Sequence, residues 1–209
     1  MPHRNNNMRI MLHRKNTDEA AHHSDQGVIR KLIPGEAGAL AAHLLRLEPD
    51  SRHDRFTGGV SDAFIVGYAR HALRPGSVVH GWFVDGTLRA AAELHPYGPR
   101  TPALAEAAFS VEGPFQNSGI GSELMGRTIL AARNRGIRLL VVRCVVDNRR
   151  MQAIARKYRA ELRFEFGDVV GELANAGPTP LSLAREMIAD GHGFVGSVLD
   201  LQSQLLRSA

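Results

Sequence analysis

The run Phe109-Ser110-Val111 breaks into Glu112-Gly113-Pro114-Phe115-Gln116-Asn117-Ser118-Gly119-Ile120-Gly121-Ser122, and the letters that follow switch at once to helical spacing. A strand that ends in a glycine turn directly ahead of a helix confines the chain to layered α/β arrangements and builds a place for an anion. The first turn of a helix leaves backbone N–H groups unpaired and carries about half a unit of positive charge. Gly119 and Gly121 remove the side chains that would stand between those groups and a pyrophosphate. A Walker-type loop is excluded, because no Lys-Ser or Lys-Thr pair follows the glycines. A dinucleotide fingerprint fails as well: Leu124 stands where its third glycine belongs, and no acidic residue ends a second strand at the required distance. The residues alone leave a plain strand-to-helix turn as the other reading.

The rest of the chain narrows the class. Its 209 residues are 44% apolar and 22% charged, and no apolar run approaches the roughly 18 residues of a membrane span, so one soluble domain is expected. The net charge of +5 is carried by arginine, with lysine only at Lys15, Lys31 and Lys157. There is no long basic run, no zinc-ligand spacing of Cys and His, and no aromatic-rich strand for stacking bases, so a nucleic-acid partner is not expected. A single cysteine, Cys144, rules out an intramolecular disulfide framework and fits a reducing compartment. Residues 1–27 are polar and lack the apolar core of a secretory signal; they read as a disordered tail, and a cytoplasmic location is the expectation.

Periodicity then orders the elements. Val28 to Ile33 reads as a strand, Pro34 to Leu47 as a helix with Leu40, Leu44 and Leu47 on one face, and Val60 to Leu73 as a second helix. In that second helix Phe64, Ile65, Tyr68, Ala69 and Ala72 share a face, and Ser61 or Gly59 caps the start. Asp85-Gly86 joins strands Val78–Val84 and Thr87–His95 in a tight hairpin. A loop dense in Pro and Gly precedes a strand at Leu104–Val111. The helix behind the glycine loop ends near Gly136, and the β-branched run Arg138–Val146 reads as a buried strand. A helix from Asn148 to Tyr158, strands Glu161–Phe166 and Asp168–Leu173, and helices at Leu181–Ala189 and Phe194–Leu206 complete the chain. Residues 28–174 are read as the core domain and 175–209 as a helical extension.

Gln116 ahead of Gly119 and Gly121 gives Gln-x-x-Gly-x-Gly, which resembles the acyl-CoA signature of the GNAT acetyltransferases. Asn148 with Met151, Ile154 and Ala155 matches that family's second element, and Ala105-Glu106-Ala107-Ala108-Phe109-Ser110-Val111 is similar to the bacterial protein-lysine acetyltransferase domains. The resemblance covers roughly Val28 to Leu173. It implies a mixed α/β fold, a mostly antiparallel sheet flanked by helices, here with the C-terminal helical extension. It also implies acetyl-CoA as cosubstrate, with no metal, and an amine as acceptor, either a protein lysine or a small molecule. No membrane partner is expected, and a homodimer is the assembly considered. The coenzyme would lie along Phe109, Ser110 and Val111, with Gln116, Asn117, Ser118, Gly119, Ile120, Gly121 and Ser122 around its pyrophosphate, and Asn148 and Arg149 added from the second element. Two positions depart from the pattern. Ala155 stands where many members place the tyrosine that protonates the departing thiolate, Tyr158 lying one turn later, and Arg159 replaces a helix-ending glycine.

Transfer of an acyl group to an amine needs the neutral nitrogen, whereas a lysine-type amine, with a pKa of about 10.4, is almost wholly protonated near neutral pH. A carboxylate within reach, directly or through water, can take the proton. By resemblance Glu106 is the first choice and Glu93 on the preceding strand the reserve, with Tyr158 the candidate acid; Glu112 reads as a solvated or loop-bracing group. Arg150 and Arg156 are further cations able to reach a coenzyme phosphate, and Cys144 reads as a structural thiol. The absence of a tyrosine at Ala155 raises a second reading, a noncatalytic acyl-CoA sensor.

Overall fold

The computed structural model describes residues 27–98 and 103–191, and its local structure follows from the punctuation of the sequence. Strand β1 (Val28–Lys31) runs into a 3₁₀ turn at Pro34–Glu36 and helix α1 (Ala37–Leu45), which buries Leu40, Ala41, His43 and Leu44. A helix that periodicity does not reveal comes next, α2 (Pro49–Phe56). Its sequence PDSRHDRF has no apolar stripe; the usable signals are Pro49 in the first turn and a stop at Thr57, whose φ is 51°. Helix α3 (Asp62–Ala72) starts where Ser61 Oγ accepts the Phe64 N–H at 3.2 Å. Phe64 itself stays half exposed and packs edge-on against the Phe56 ring of α2.

Strands β2 (Val78–Val84) and β3 (Thr87–Pro96) meet at Asp85 and Gly86, both at positive φ, 48° and 69°, as a two-residue hairpin turn requires. Then follow β4 (Leu104–Val111), α4 (Ile120–Asn134), β5 (Leu139–Val145), α5 (Arg149–Lys157), the hairpin of β6 (Glu161–Glu165) and β7 (Asp168–Ala174), and a last helix, α6, over 180–191. The seven strands lie in the order β1-β2-β3-β4-β5-β7-β6, and every neighbouring pair is antiparallel except β4 and β5. The expected fold class is therefore the observed one.

Side chains alternate across the sheet, so each face collects its own helices. On one face Val79, Leu88 and Ala91 meet Leu40, Leu44 and Ile65 of α1 and α3. On the other, Leu94, Ala105, Ala107, Leu140 and Val142 pack under Met125 and Ala131 of α4 and Met151 of α5. Helix α6 is tied down by polar contacts: Glu186 accepts from Lys31 Nζ (2.6 Å), Asn134 Nδ2 (2.6 Å) and Arg135 (2.9 Å). Burial pushes that carboxyl up, but these donors outweigh it and hold it near 2. The expected tail and the expected helix at Phe194–Leu206 lie outside the described residues, as does part of the Pro-rich loop.

Arg159, at the position of the missing glycine, has a φ of 62°. A left-handed residue with a Cβ costs roughly 1–2 kcal/mol, partly offset in a glycine variant by the greater freedom of its unfolded chain. Arg159→Gly should therefore stabilise the fold by about 1 kcal/mol, read as a raised midpoint in urea with an unchanged slope.

Candidate active site

The site begins where β4 and β5 part. They pair only over Leu104–Ala107 with Leu139–Val142, after which β5 turns away on the arm of β7. The N–H of Glu112 donates to Arg89 O on β3 at 3.1 Å. Main-chain groups alternate sides along a strand, so those of Phe109 and Val111 face the opposite edge, into the gap left by β5. Val111 O is taken by Gln116 Nε2 at 3.0 Å, and the N–H groups have no sheet partner among the described residues. A bound chain carrying amides can pair there as a further strand would.

That gap opens into a cleft of about 370 Å³. One wall is Phe109, Ser110 and Val111, a second is Ser51, Asp54 and Arg55 of α2, and a third is Met151, Ala153 and Ile154 of α5. Its far end is the first turn of α4. Asn117 (φ 62°) and Gly119 (φ 90°) swing the chain through the left-handed region, so the helix starts on a glycine with no side-chain cap. The early N–H groups of Ile120 and Gly121 have no partner within the helix and border the cleft. A pyrophosphate with an amide-bearing arm fits both features, the helix terminus and the bare strand edge.

Several residues expected to touch a coenzyme spend their side chains on holding this frame. Gln116 donates to Ser51 Oγ and Val111 O, both at 3.0 Å, and accepts from Arg150 at 2.6 Å, so it joins α2, β4 and α5. Asn148 caps α5 through Met151 N–H (2.9 Å) while still lining the cleft. Ser118 Oγ donates to Phe115 O at 2.6 Å and lies outside the lining, and Arg150 rather than the solvent-facing Arg149 borders the cleft. Ser122 Oγ accepts from Lys157 Nζ at 2.7 Å. Tyr158 donates its hydroxyl to Ser122 O at 2.7 Å and packs against the core, so it braces α5 on α4 instead of pointing into the cleft. Cys144 is buried, and its thiol is pushed up to about 11 by burial, which suits a structural role.

The two carboxylates singled out as bases sit on the same sheet face in different states. Registers Glu93↔Ala108 and His95↔Glu106 place both on the α1–α3 side. Glu93 is fully buried and accepts from Arg55 (2.5 Å), Tyr68 (2.7 Å) and His95 Nε2 (3.0 Å). Burial drives its carboxyl upward, but the Arg55 charge and the His95 hydrogen bond overcome that and hold it at about 2. Such a group is a poor proton acceptor; its work is to hold Arg55 at the cleft wall and to join α2 and α3 to β3. Glu106 is half-buried, and its one hydrogen bond among the described residues, from the Tyr97 hydroxyl, is long at 3.3 Å. Glu112, read as solvated or loop-bracing, is instead buried and accepts from His43, Arg46 and Arg89, because β3, β4 and α1 close over it. Nothing local in the sequence signals those partners.

The model of the Acetyltransferase (GNAT) family matches residues 43–159 of this chain. The chain belongs to the GNAT acetyltransferase family. It is an acetyl-CoA-dependent N-acetyltransferase, as the family implies. Its fold is similar to the GNAT domain of S. lividans PAT, with a TM-score of 0.61, 22% identity, and coverage of 70% of this chain and 89% of that one. It is also similar to yncA from Salmonella typhimurium, solved with its cofactor acetyl-CoA (TM-score 0.56, 16% identity, 74% and 98% covered). A third likeness is to the ribosomal-protein-alanine N-acetyltransferase of Brucella melitensis (TM-score 0.55, 20% identity, 69% and 97% covered). Among the described residues no group of His, Cys, Asp and Glu is placed to hold a metal ion, and no helix is long and apolar enough to cross a membrane.

Two outcomes test this GNAT site. A Cβ at Gly121 would meet Ile154 Cδ1 at 3.2 Å, a contact a flexible side chain can relieve, so Gly121→Glu should fold. Its carboxylate would oppose a pyrophosphate by up to about 4 kcal/mol at 4 Å, and CoA affinity measured by calorimetry should fall by about 10²-fold or more. For Glu93 the folded value lies below the ordinary 4.5, so its stabilisation is fully present above about pH 4.5 and is lost as pH falls towards 2. Glu93→Gln should flatten that part of the acid unfolding profile and destabilise the protein at pH 7 by about 3–5 kcal/mol, because Arg55 stays buried without its counter-charge.

Proposed function

We propose that this enzyme acetylates a protein lysine by direct transfer, with Glu106 as the general base. The observation that carries the assignment is the contrast between the two carboxylates: Glu93 is saturated with donors and held at about 2, whereas Glu106 keeps partial solvent access and a single long hydrogen bond. Glu106 projects from the α1–α3 face of β4 beside the point where β5 leaves, outside the residues that line the cleft, and the acceptor amine would be offered to it from that face. Acetyl-CoA supplies the activated acyl thioester. Glu106 takes the ammonium proton, directly or through water, and a backbone N–H on the bare stretch of β4 between Phe109 and Val111 stabilises the developing oxyanion. Tyr97, whose hydroxyl donates to Glu106 at 3.3 Å, stands beside the carboxylate. The choice of lysine rests on the likeness of Ala105–Val111 to lysine acetyltransferase domains and on the similar fold of S. lividans PAT.

Two measurements test this reading. Glu106→Gln keeps the side-chain size and removes the base, so turnover should drop by about 10²–10⁴ below the acceptor's pKa, with the defect shrinking as pH rises and the amine arrives neutral. Parental turnover with an unchanged pH profile would transfer the role to another group. Acetyl incorporation into protein lysines, compared with turnover of a panel of free amines, decides the acceptor; activity confined to free amines would remove the lysine assignment.

A further inference from the structure

Ser110, His43 and Glu112 form a hydrogen-bonded chain that amine acetylation by Glu106 does not use. His43 is wholly buried on α1; its Nε2 lies 2.8 Å from Ser110 Oγ and its Nδ1 lies 3.1 Å from Glu112 Oε1. Burial raises the Glu112 carboxyl, but hydrogen bonds from His43, Arg46 and Arg89 outweigh that, and it stays ionised at neutral pH. A carboxylate only accepts, so in the neutral imidazole Nδ1 carries the proton and Nε2 is left to accept the Ser110 hydroxyl. Hydroxyl, imidazole and a buried carboxylate that fixes the tautomer are the parts of an activated nucleophile in their working order. A tie that only joins α1 to the sheet could sit anywhere in the core. Ser110 instead lines the cleft, on the stretch of β4 that β5 has left, between the unpaired N–H groups of Phe109 and Val111. Its side chain leaves the strand on the same face as Glu106, about 13 Å further along.

We propose that Ser110 attacks acyl thioesters in this cleft, giving the protein a second activity as an acyl-CoA hydrolase that works through an acyl-serine. The inference rests on the reading of the cleft as the acyl-CoA site. As Ser110 Oγ bonds to the thioester carbonyl carbon, His43 Nε2 takes its proton. The C–S bond breaks with its electron pair on sulfur, and His43 returns the proton to release the free thiol, leaving an ester on Ser110. Water, giving its proton to His43, then adds to the ester carbon; the C–Oγ bond breaks, Oγ recovers the proton from His43, and the carboxylic acid leaves. Glu112 shares its charge with Arg46 (2.9 Å) and Arg89 (3.0 Å), so it steadies the imidazolium less than an unshared carboxylate would.

The test uses the full chain with acetyl-CoA and no amine. Thiol release is followed in time, acid-quenched protein is digested and mapped by mass spectrometry, and CoA affinity is measured by calorimetry on the same preparation. The expected result is a burst of up to about one thiol per chain, slower release afterwards, and an acetyl group on Ser110. Ser110→Ala should remove both phases, and His43→Gln should slow acylation by about 10²–10⁴-fold. CoA binding without an acetylated Ser110, or acylation indifferent to His43, overturns the triad and leaves the coenzyme site standing. Absence of CoA binding overturns both. Mapping of the parent protein decides the point even if the buried His43→Gln variant fails to fold.

Discussion

The separation of β4 from β5 is the constraint on which the other features hang. Two parallel neighbours cannot be joined by a hairpin, so the chain must cross over, and the crossover is α4 with the glycine loop ahead of it. The start of α4 therefore falls at the C-terminal end of β4, where the pairing with β5 has just stopped. One topological event exposes a strand edge and a helix terminus side by side, and both are sets of N–H groups without partners among the described residues. A longer β4–β5 ladder would satisfy the edge and close the cleft. β7 and β6 keep β5 in a continuous sheet beyond the split, so the gap opens without leaving the rest of β5 unpaired.

Burial has sorted the acidic residues around this gap into different kinds of work. Glu93 and Glu112 are each surrounded by cationic or imidazole donors and serve as anchors, one for α2 and α3, the other for α1 and the end of β3. A buried ion pair of this sort adds little to stability compared with a well-packed apolar replacement, yet breaking one side of it is expensive. What it does is fix which helix lies where. Arg55 is held against Glu93 and Tyr68, which fixes the α2 wall of the cleft, and His43 is held between Glu112 and Ser110, which fixes α1 above β4. Glu106 has no such escort among the described residues: it is half-buried and accepts only the long hydrogen bond from Tyr97.

Legibility in the sequence followed the range of the interactions. Asp85-Gly86, the Ser61 cap, and the strand–glycine–helix passage at 109–122 are local, and the residues that decide them are neighbours in the chain. Helix α2 escaped because PDSRHDRF is nearly all polar and presents Arg52 and Arg55 to partners on other elements instead of an apolar stripe to a core. The states of the carboxylates were equally hidden. Glu93 is set by Arg55 and Tyr68, and Glu112 by His43 and Arg46, residues tens of positions away on helices whose placement only the fold supplies. Tyr158 shows the same limit: its spacing suggested the cleft, while its hydroxyl meets the Ser122 carbonyl on α4.

The residues that most resemble a binding motif are thus largely its scaffolding. Gln116 clamps α2, β4 and α5; Lys157 and Tyr158 both fasten α5 to Ser122 in the first turn of α4; and Asn148 sets where α5 begins. With the side chains engaged in this way, the main-chain N–H groups of Ile120, Gly121, Phe109 and Val111 are the donors that the frame leaves without a partner at the cleft among the described residues. These cannot rotate away and require no reordering when charge develops, which is the condition under which hydrogen-bond donors stabilise a transition state most effectively. The motif is recognisable in sequence because the backbone must be held still, and the side chains that hold it leave the signature.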